Sequence, residues 1–244
     1  MNLSKKIDIN LNEFELVSIV GGGGKTTTMF KLAKELRALN KKVLVTTTTA
    51  IMMPDESQYD NFIIYGEGIK DNMENVTNGS VTVIVKNIIR EDKLKGIEKE
   101  TIEDIVSKNI FDVILVEADG SKRKPIKAPS YHEPVIPNST TKVIGVIGMD
   151  SVGKEINEKN VHRPEIFTSV TDSKFGEIID ENIIFNLVIS NEGLYKDSPK
   201  LSKKYLILNK AEGEERISSA LKIKNLLLDN ECEIDEIIVG SMNE

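Results

Sequence analysis

Six consecutive residues, Gly21-Gly22-Gly23-Gly24-Lys25-Thr26, carry the clearest chemistry in the chain. Glycines reach backbone dihedrals closed to other residues, so a run of them can turn N–H groups inward around an anion. A lysine at the end of such a run reaches the β and γ phosphates of a nucleotide, and the hydroxyl after it holds Mg²⁺. Thr27 adds a second hydroxyl. The pattern predicts a loop that grips a nucleoside triphosphate, ATP or GTP, together with Mg²⁺. The usual motif has its first glycine five residues before the last one, and here that position is Ile19. The loop is therefore expected to start later and be tighter, with Gly21 taking the first turn. A glycine-rich turn with an exposed lysine is the plain alternative. A dinucleotide turn has no role for Lys25-Thr26.

A phosphate loop of this kind works with a carboxylate at the end of a buried strand. The run Phe111–Val116, which reads as a buried strand, leads into Glu117-Ala118-Asp119-Gly120. Residues two apart on a strand share a face, so Glu117 and Asp119 can act together. Either is a candidate for the magnesium site with Thr26, leaving the other to orient the attacking group. Capping of the following loop is the alternative role. Glu117 with Gly120 also resembles the D-x-x-G turn of GTPases, with Glu in place of Asp.

Other polar clusters also fall just after strands. Thr46–Thr49 offer four hydroxyls, or simply a Thr-rich strand end. Lys122, Arg123, Lys124 and Lys127 can bind an anionic substrate or form a solvated basic loop. The two histidines, His132 and His162, sit in Pro-bounded loops. Each is a candidate base or pocket residue, and His132 joins Lys25, Glu117 and Asp119 as a candidate catalytic group. Asn209-Lys210-Ala211-Glu212 resembles the N-K-x-D loop that reads guanine, with Glu212 where Asp normally stands. Ser241 is placed to complete such a base pocket.

These residues need a scaffold. Phe14–Val20 reads as a strand entering the glycines, and Met29, Leu32, Ala33, Leu36 and Leu39 follow at helical spacing. Further strands are predicted at 42–45, 62–65, 81–85, 111–116, 142–147, 205–208 and 237–239. Helices are predicted around 102–106, 182–189 and 217–224. Apolar strands alternating with helices predict an α/β fold, doubly wound and mostly parallel, of the P-loop NTPase-like type. Residues 1–244 are expected to form one domain, with elaborated loops around 119–141 and 150–191. The net charge of −7 disfavours sequence-independent binding to nucleic acid. One cysteine, Cys232, excludes an internal disulfide framework. The polar start and the lack of a long apolar run predict a cytoplasmic protein with no membrane contact.

The motifs GGGGKTTT (21–28), LVTTTT (44–49), LVEADGSKRKPIKAP (115–129), HEPVIP (132–137), VIGVIGMD (143–150) and VHRPE (161–165) together resemble the YqeC-like proteins. The resemblance covers most of the chain. It implies an accessory role toward a selenium-dependent molybdenum hydroxylase or its cofactor. Nothing in composition or spacing speaks of selenium. Three readings stay open: a Mg²⁺-dependent nucleoside triphosphatase coupled to cofactor maturation, a small-molecule kinase, and a non-catalytic partner gated by nucleotide.

Overall fold

The computed structural model describes residues 2–66, 73 and 76–242. A short helix, α1 (Leu3–Lys6), precedes β1 (Glu15–Gly21), which runs through glycines into α2 (Lys25–Ala38). Next come β2 (Lys42–Thr47), β3 (Ala50–Met52), β4 (Asn61–Ile64), β5 (Ser80–Val85), β6 (Asn87–Arg90) and β7 (Lys93–Lys95). The middle of the chain holds α3 (Lys99–Ser107), β8 (Val113–Glu117), β9 (Ile126–Lys127), β10 (Lys142–Gly148) and β11 (Val161–His162). Then follow α4 (Pro164–Thr171), α5 (Glu181–Ile189), β12 (Lys203–Asn209), α6 (Gly213–Asp229) and β13 (Glu236–Val239).

Eight strands form one sheet in the order β13-β12-β10-β1-β8-β2-β5-β4. Every neighbouring pair in it is parallel. Parallel pairing demands crossovers that cover the faces of the sheet, which is why β1 is buried at every position. Its side chains alternate between two cores. Val17 and Ile19 face α2 and pack with Met29, Leu32 and Leu36. Val20 faces the opposite layer, with Ile184 and Leu187 of α5 and Ile223 of α6. Leu16 meets Ile102 and Ile105 of α3 on that same side. Full burial of each such side chain is worth about 1.5–3 kcal/mol.

The doubly wound, parallel α/β architecture matches the sequence expectation. The chain leaves β1 toward β2 on one flank and later fills the other flank with β10, β12 and β13. Strand order therefore reverses around β1. In open α/β sheets the crevice beyond the carboxyl ends of the strands at such a point is where ligands sit. The loops after β1, β8, β10 and β12 all open onto that edge.

Several elements went beyond the sequence reading. β3, β7 and β6 form a separate antiparallel sheet. β9 and β11 pair, placing Lys127 beside His162 in register. The stretch 150–191 contains α4 as well as the anticipated α5. Pro164 opens α4 at the position where its missing N–H costs nothing.

Candidate functional site

β1 ends where its partners require it to. Ile19 pairs with Ile144 and Glu117 inside the sheet, so the loop begins only at Gly21. Gly21 has φ +95°, and a Cβ there would lie 2.3 Å from the Val146 carbonyl oxygen. At Gly24, φ is +131° and a Cβ would meet the Asn209 amide nitrogen at 2.1 Å. Neither position admits a side chain. The loop is clamped on both sides by backbone bonds. The Gly22 N–H donates to Val146 O at 2.8 Å, and the Gly23 N–H donates to Lys124 O at 3.0 Å. The first turn of α2 follows, where helical N–H groups lack intrahelical acceptors and the helix dipole favours an anion.

Lys25 opens α2 but folds back beneath the loop. Its ammonium donates to Gly21 O at 2.7 Å and lies 3.2 Å from Asp119 and 3.7 Å from Glu117. Burial works against its charge, but the carboxylates of Asp119 and then Glu117 outweigh it and raise its pKa. Burial pushes the Glu117 carboxyl upward despite Lys25 and Thr26. Two carboxylates share one ammonium here, and Asp119 is the nearer. Lys25 therefore stays charged, and burial favours the protonated form of Glu117.

The two acids do different work. Asp119 Oδ2 accepts from the Gly21 N–H at 3.1 Å and pairs with Lys127 at 3.0 Å. Glu117 instead lines a cleft of about 690 Å³ and accepts from the Thr26 hydroxyl at 2.6 Å. The cleft spans the glycines, Lys25 and Thr27, Thr49, His162 and Lys210. A larger cleft of about 960 Å³ runs along α2, and it holds Thr26 and Thr27 but neither the loop glycines nor Glu117 or Asp119. The chemistry belongs to the smaller one.

The remaining candidates divide sharply. Lys127 is buried at 1% exposure, bonded to Gly120 O, Asp119 and Glu133. It is thus a fixed internal cation, which corrects its placement in a solvated or anion-binding loop. Lys124 is also committed, to Lys159 O at 2.7 Å. Lys122 and Arg123 are exposed and line the cleft. The hydroxyls of Thr46, Thr47 and Thr48 bond backbone carbonyls of Ile84, Glu117 and Val135, which ties the end of β2 in place. His132 is exposed, edge-on to Tyr131, and outside the cleft wall. His162 is the histidine that lines it.

Two residues that carry the cleft had no role assigned from sequence. Glu133 is buried and receives both Lys127 and a two-pronged contact from Arg163. Burial opposes its charge, but hydrogen bonds from Arg163 and Lys127 hold its pKa down at about 2. Beside it, burial and then the positive charges of Arg163 and Lys127 press His162 down to about 4, so its ring is neutral at neutral pH. Glu133 and Arg163 stand in the quoted HEPVIP and VHRPE motifs, and that is their only sequence signal.

The loop resembling a guanine reader is assembled against the glycines. Asn209 donates to Gly23 O at 2.8 Å and accepts from the Lys210 and Met242 N–H groups. Glu212 accepts from Ser241 at 2.6 Å, so those two residues do meet. Lys210 bonds Asp150 at 2.8 Å. Among the described residues no group of three His, Cys, Asp or Glu could hold a metal by itself. No helix of the described residues is long and apolar enough to cross a membrane.

A strand that turns through glycines into a Lys-Thr helix start, beside an acidic strand end in a parallel sheet, defines the P-loop NTPase-like α/β class. Within that class the chain belongs to the YqeC family: the model described as YqeC protein matches residues 17–165. It is 30% identical to the Escherichia coli (strain K12) protein called "Uncharacterized protein YqeC", over 230 residues covering 94% of this chain and 88% of that one. Among solved structures the chain is similar to FtsY from Mycoplasma mycoides, at 16% identity and TM-score 0.43 over 98% of this chain. Chloroplast FtsY from Physcomitrella patens is similar at 16% identity and TM-score 0.47 over 95% of this chain. The chain spans 65% and 60% of those two structures.

Proposed function

We propose that the cleft binds the triphosphate of ATP or GTP with Mg²⁺ and hydrolyses it. The observation that carries this reading is the contact of Thr26 with Glu117 at 2.6 Å, one residue along from a lysine held beneath the glycines. A hydroxyl and a carboxylate are hard oxygen donors of the kind Mg²⁺ takes, with phosphate oxygens and water filling the other positions. The residues present therefore fit the ion, which Thr26 and Glu117 would hold. When bound, it would neutralise charge on the phosphates and favour phosphoryl transfer.

The chain's own part is positioning and charge. Lys25 has to leave the Gly21 carbonyl and turn outward to reach the phosphates. Asp119 keeps Lys127 as a partner when that happens, so the buried carboxylate is not stranded. Glu117 loses the neighbouring ammonium at the same step and is left to the metal or to a proton. Coupling of this turnover to the maturation of a selenium or molybdenum hydroxylase cofactor is the role implied by the family resemblance.

Calorimetry with ATP and GTP, with and without Mg²⁺, tests the binding, and phosphate release tests the hydrolysis. Magnesium-dependent binding followed by phosphate release without any acceptor supports the reading. Binding with no turnover would leave a nucleotide-gated partner in its place, and formation of nucleoside diphosphate only on adding an acceptor, without free phosphate, would make it a kinase.

A further inference from the structure

The wall of the cleft facing the phosphate loop is far more positive than a protein of net charge −7 would suggest. Among the described residues seven cationic and three anionic side chains line the cleft. Lys25 is held by carboxylates and Arg163 by Glu133. Lys122 and Arg123, by contrast, have no ion pair or side-chain hydrogen bond among the described residues.

The backbone under these two is unusual. The Lys124 N–H donates to Ser121 O at 2.9 Å and closes a four-residue turn. Both central residues have positive φ, +46° at Lys122 and +61° at Arg123. A turn with positive φ at both centres is the kind in which Asn-Gly is strongly preferred, because other side chains are strained there. Lysine and arginine are the wrong residues for the turn and the right ones for an oxyanion. The same bias extends around the cleft. Among the described residues ten non-glycine residues have positive φ, and the four of them that are Lys or Arg (Lys122, Arg123, Arg163 and Lys210) all line it. Strain of this sort gathers where side chains are held for a ligand.

The turn is not a free flap. The next carbonyls of the chain, those of Lys124 and Pro125, accept from the Gly23 N–H at 3.0 Å and the Gly148 N–H at 2.9 Å. Lys122 and Arg123 are thus fixed beside the phosphate loop by the backbone. His162, with a neutral ring, shares the wall.

We propose that Lys122 and Arg123 form a second oxyanion subsite, which takes the phosphate group of a small molecule bound next to the nucleotide. The subsite rests on the phosphate-loop reading only in that the nucleotide occupies the glycines first. The planar guanidinium of Arg123 suits two oxygens of a phosphate at once, and Lys122 adds a point charge. The phosphate belongs either to a phosphomonoester or to free inorganic phosphate after hydrolysis.

The test uses the full chain saturated with Mg²⁺ and a non-hydrolysable nucleotide. Inorganic phosphate and methyl phosphate are titrated in separately. The His162 imidazole resonances are followed, with exposed His132 as internal control. The double variant Lys122→Asn, Arg123→Gly is compared with the native chain, because it installs the residues the turn prefers. We expect phosphate to bind the loaded native chain and shift His162 but not His132. The variant should weaken phosphate at least tenfold, change nucleotide affinity by less than threefold, and melt at an equal or higher temperature. Binding of methyl phosphate as well marks an ester-carrying co-substrate, and its exclusion marks a product site. Equal phosphate binding by the variant overturns the proposal, as does phosphate that binds only in competition with nucleotide. A parallel tenfold loss of nucleotide affinity in the variant also overturns it, since the two cations would then serve the nucleotide's own phosphates. Failure of the phosphate-loop reading would show differently, as unchanged nucleotide affinity in Lys25→Ala.

Discussion

Asn209 at the end of β12 donates its side-chain amide to the carbonyl of Gly23 at 2.8 Å, joining residues 186 apart in sequence. The same amide oxygen receives two backbone N–H groups, from Lys210 and Met242. One buried side chain thus satisfies three backbone groups and holds the phosphate loop against the last strands of the sheet.

Asn209→Ala strips all three of those partners. Each stranded buried polar group costs about 1–3 kcal/mol, less where water enters. We expect an overall loss of roughly 2–4 kcal/mol in urea denaturation. Affinity for ATP and GTP should fall together, since the loop and not a base contact is what loosens. A loss confined to one of the two nucleotides would contradict this.

Lys25→Ala should weaken triphosphate binding by about a hundredfold or more, as expected for removal of about 3 kcal/mol of charge-assisted bonding. The variant should still fold. Asp119 keeps Lys127 at 3.0 Å, and Glu117, already pushed up by burial, can take a proton. Circular dichroism checks the fold and calorimetry the affinity.

Glu117 and Asp119 should separate under conservative replacement. Glu117→Gln is expected to reduce Mg²⁺-dependent phosphate release tenfold or more while leaving metal-free nucleotide binding within a few fold. Asp119→Asn removes one partner from a buried cluster with Lys25, Lys127 and the Gly21 N–H. A loss of about 3–5 kcal/mol in stability follows from the uncompensated cations. If Asp119→Asn proves as stable as the native chain, the clamp assigned to it is wrong.

Stability should fall with acid in two overlapping windows. His162 has a folded pKa near 4, below its ordinary 6.5. The unfolded chain therefore binds the extra proton first, and stability drops as pH falls from about 6.5 toward 4. Glu133, at about 2 against 4.5, likewise contributes stability that is present above about 4.5 and lost as pH falls toward 2. Allowing for partial solvent access, each group carries on the order of 1–2 kcal/mol. Denaturant midpoints across pH should show the slope between 6.5 and 4 flattened in His162→Asn. The slope below 4.5 should flatten in Glu133→Gln.

For the base, a preference for GTP over ATP of about tenfold or less is expected, or ~1.4 kcal/mol. Glu212 lies against Ser241 at 2.6 Å, so its carboxylate is already drawn toward the loop that closes this side. Glu212→Ala should erase the preference. A native chain that prefers ATP in competition binding would show that this loop does not read guanine.

The scaffold of the site was legible because both faces of the sheet are buried. Runs such as Val113–Val116 and Val143–Ile147 stay apolar throughout, and that pattern survives without knowledge of the partners. The glycines and Lys25-Thr26 were legible for a similar reason, since local backbone demands fix their types. Lys127 was not. Its neighbours in KRKPIK read as a solvated patch, and the carboxylates that pair with it, Asp119 and Glu133, come from the loops after β8 and β9, which local pattern does not bring together. Glu133 was missed by one position. His132 drew notice for its titration range, but the turn points that ring outward and the neighbouring carboxylate inward. β6 left no signal because all its residues are exposed, so burial imposed no alternation on it.

The wholly parallel sheet also dictates when a nascent chain becomes competent. β1 is translated early, yet one of its two neighbours, β8, ends at Glu117 and the other, β10, ends at Gly148. The brace from Asn209 arrives later still. A ribosome must therefore release the chain through Gly148 before the glycines are held on both sides, and a chain halted near β9 would carry the whole Lys-Thr motif with only one of its two flanking strands. Local contacts cannot assemble this site early, because its strands wait for partners that are distant in sequence. The protein's earliest motif is in this sense its last finished part.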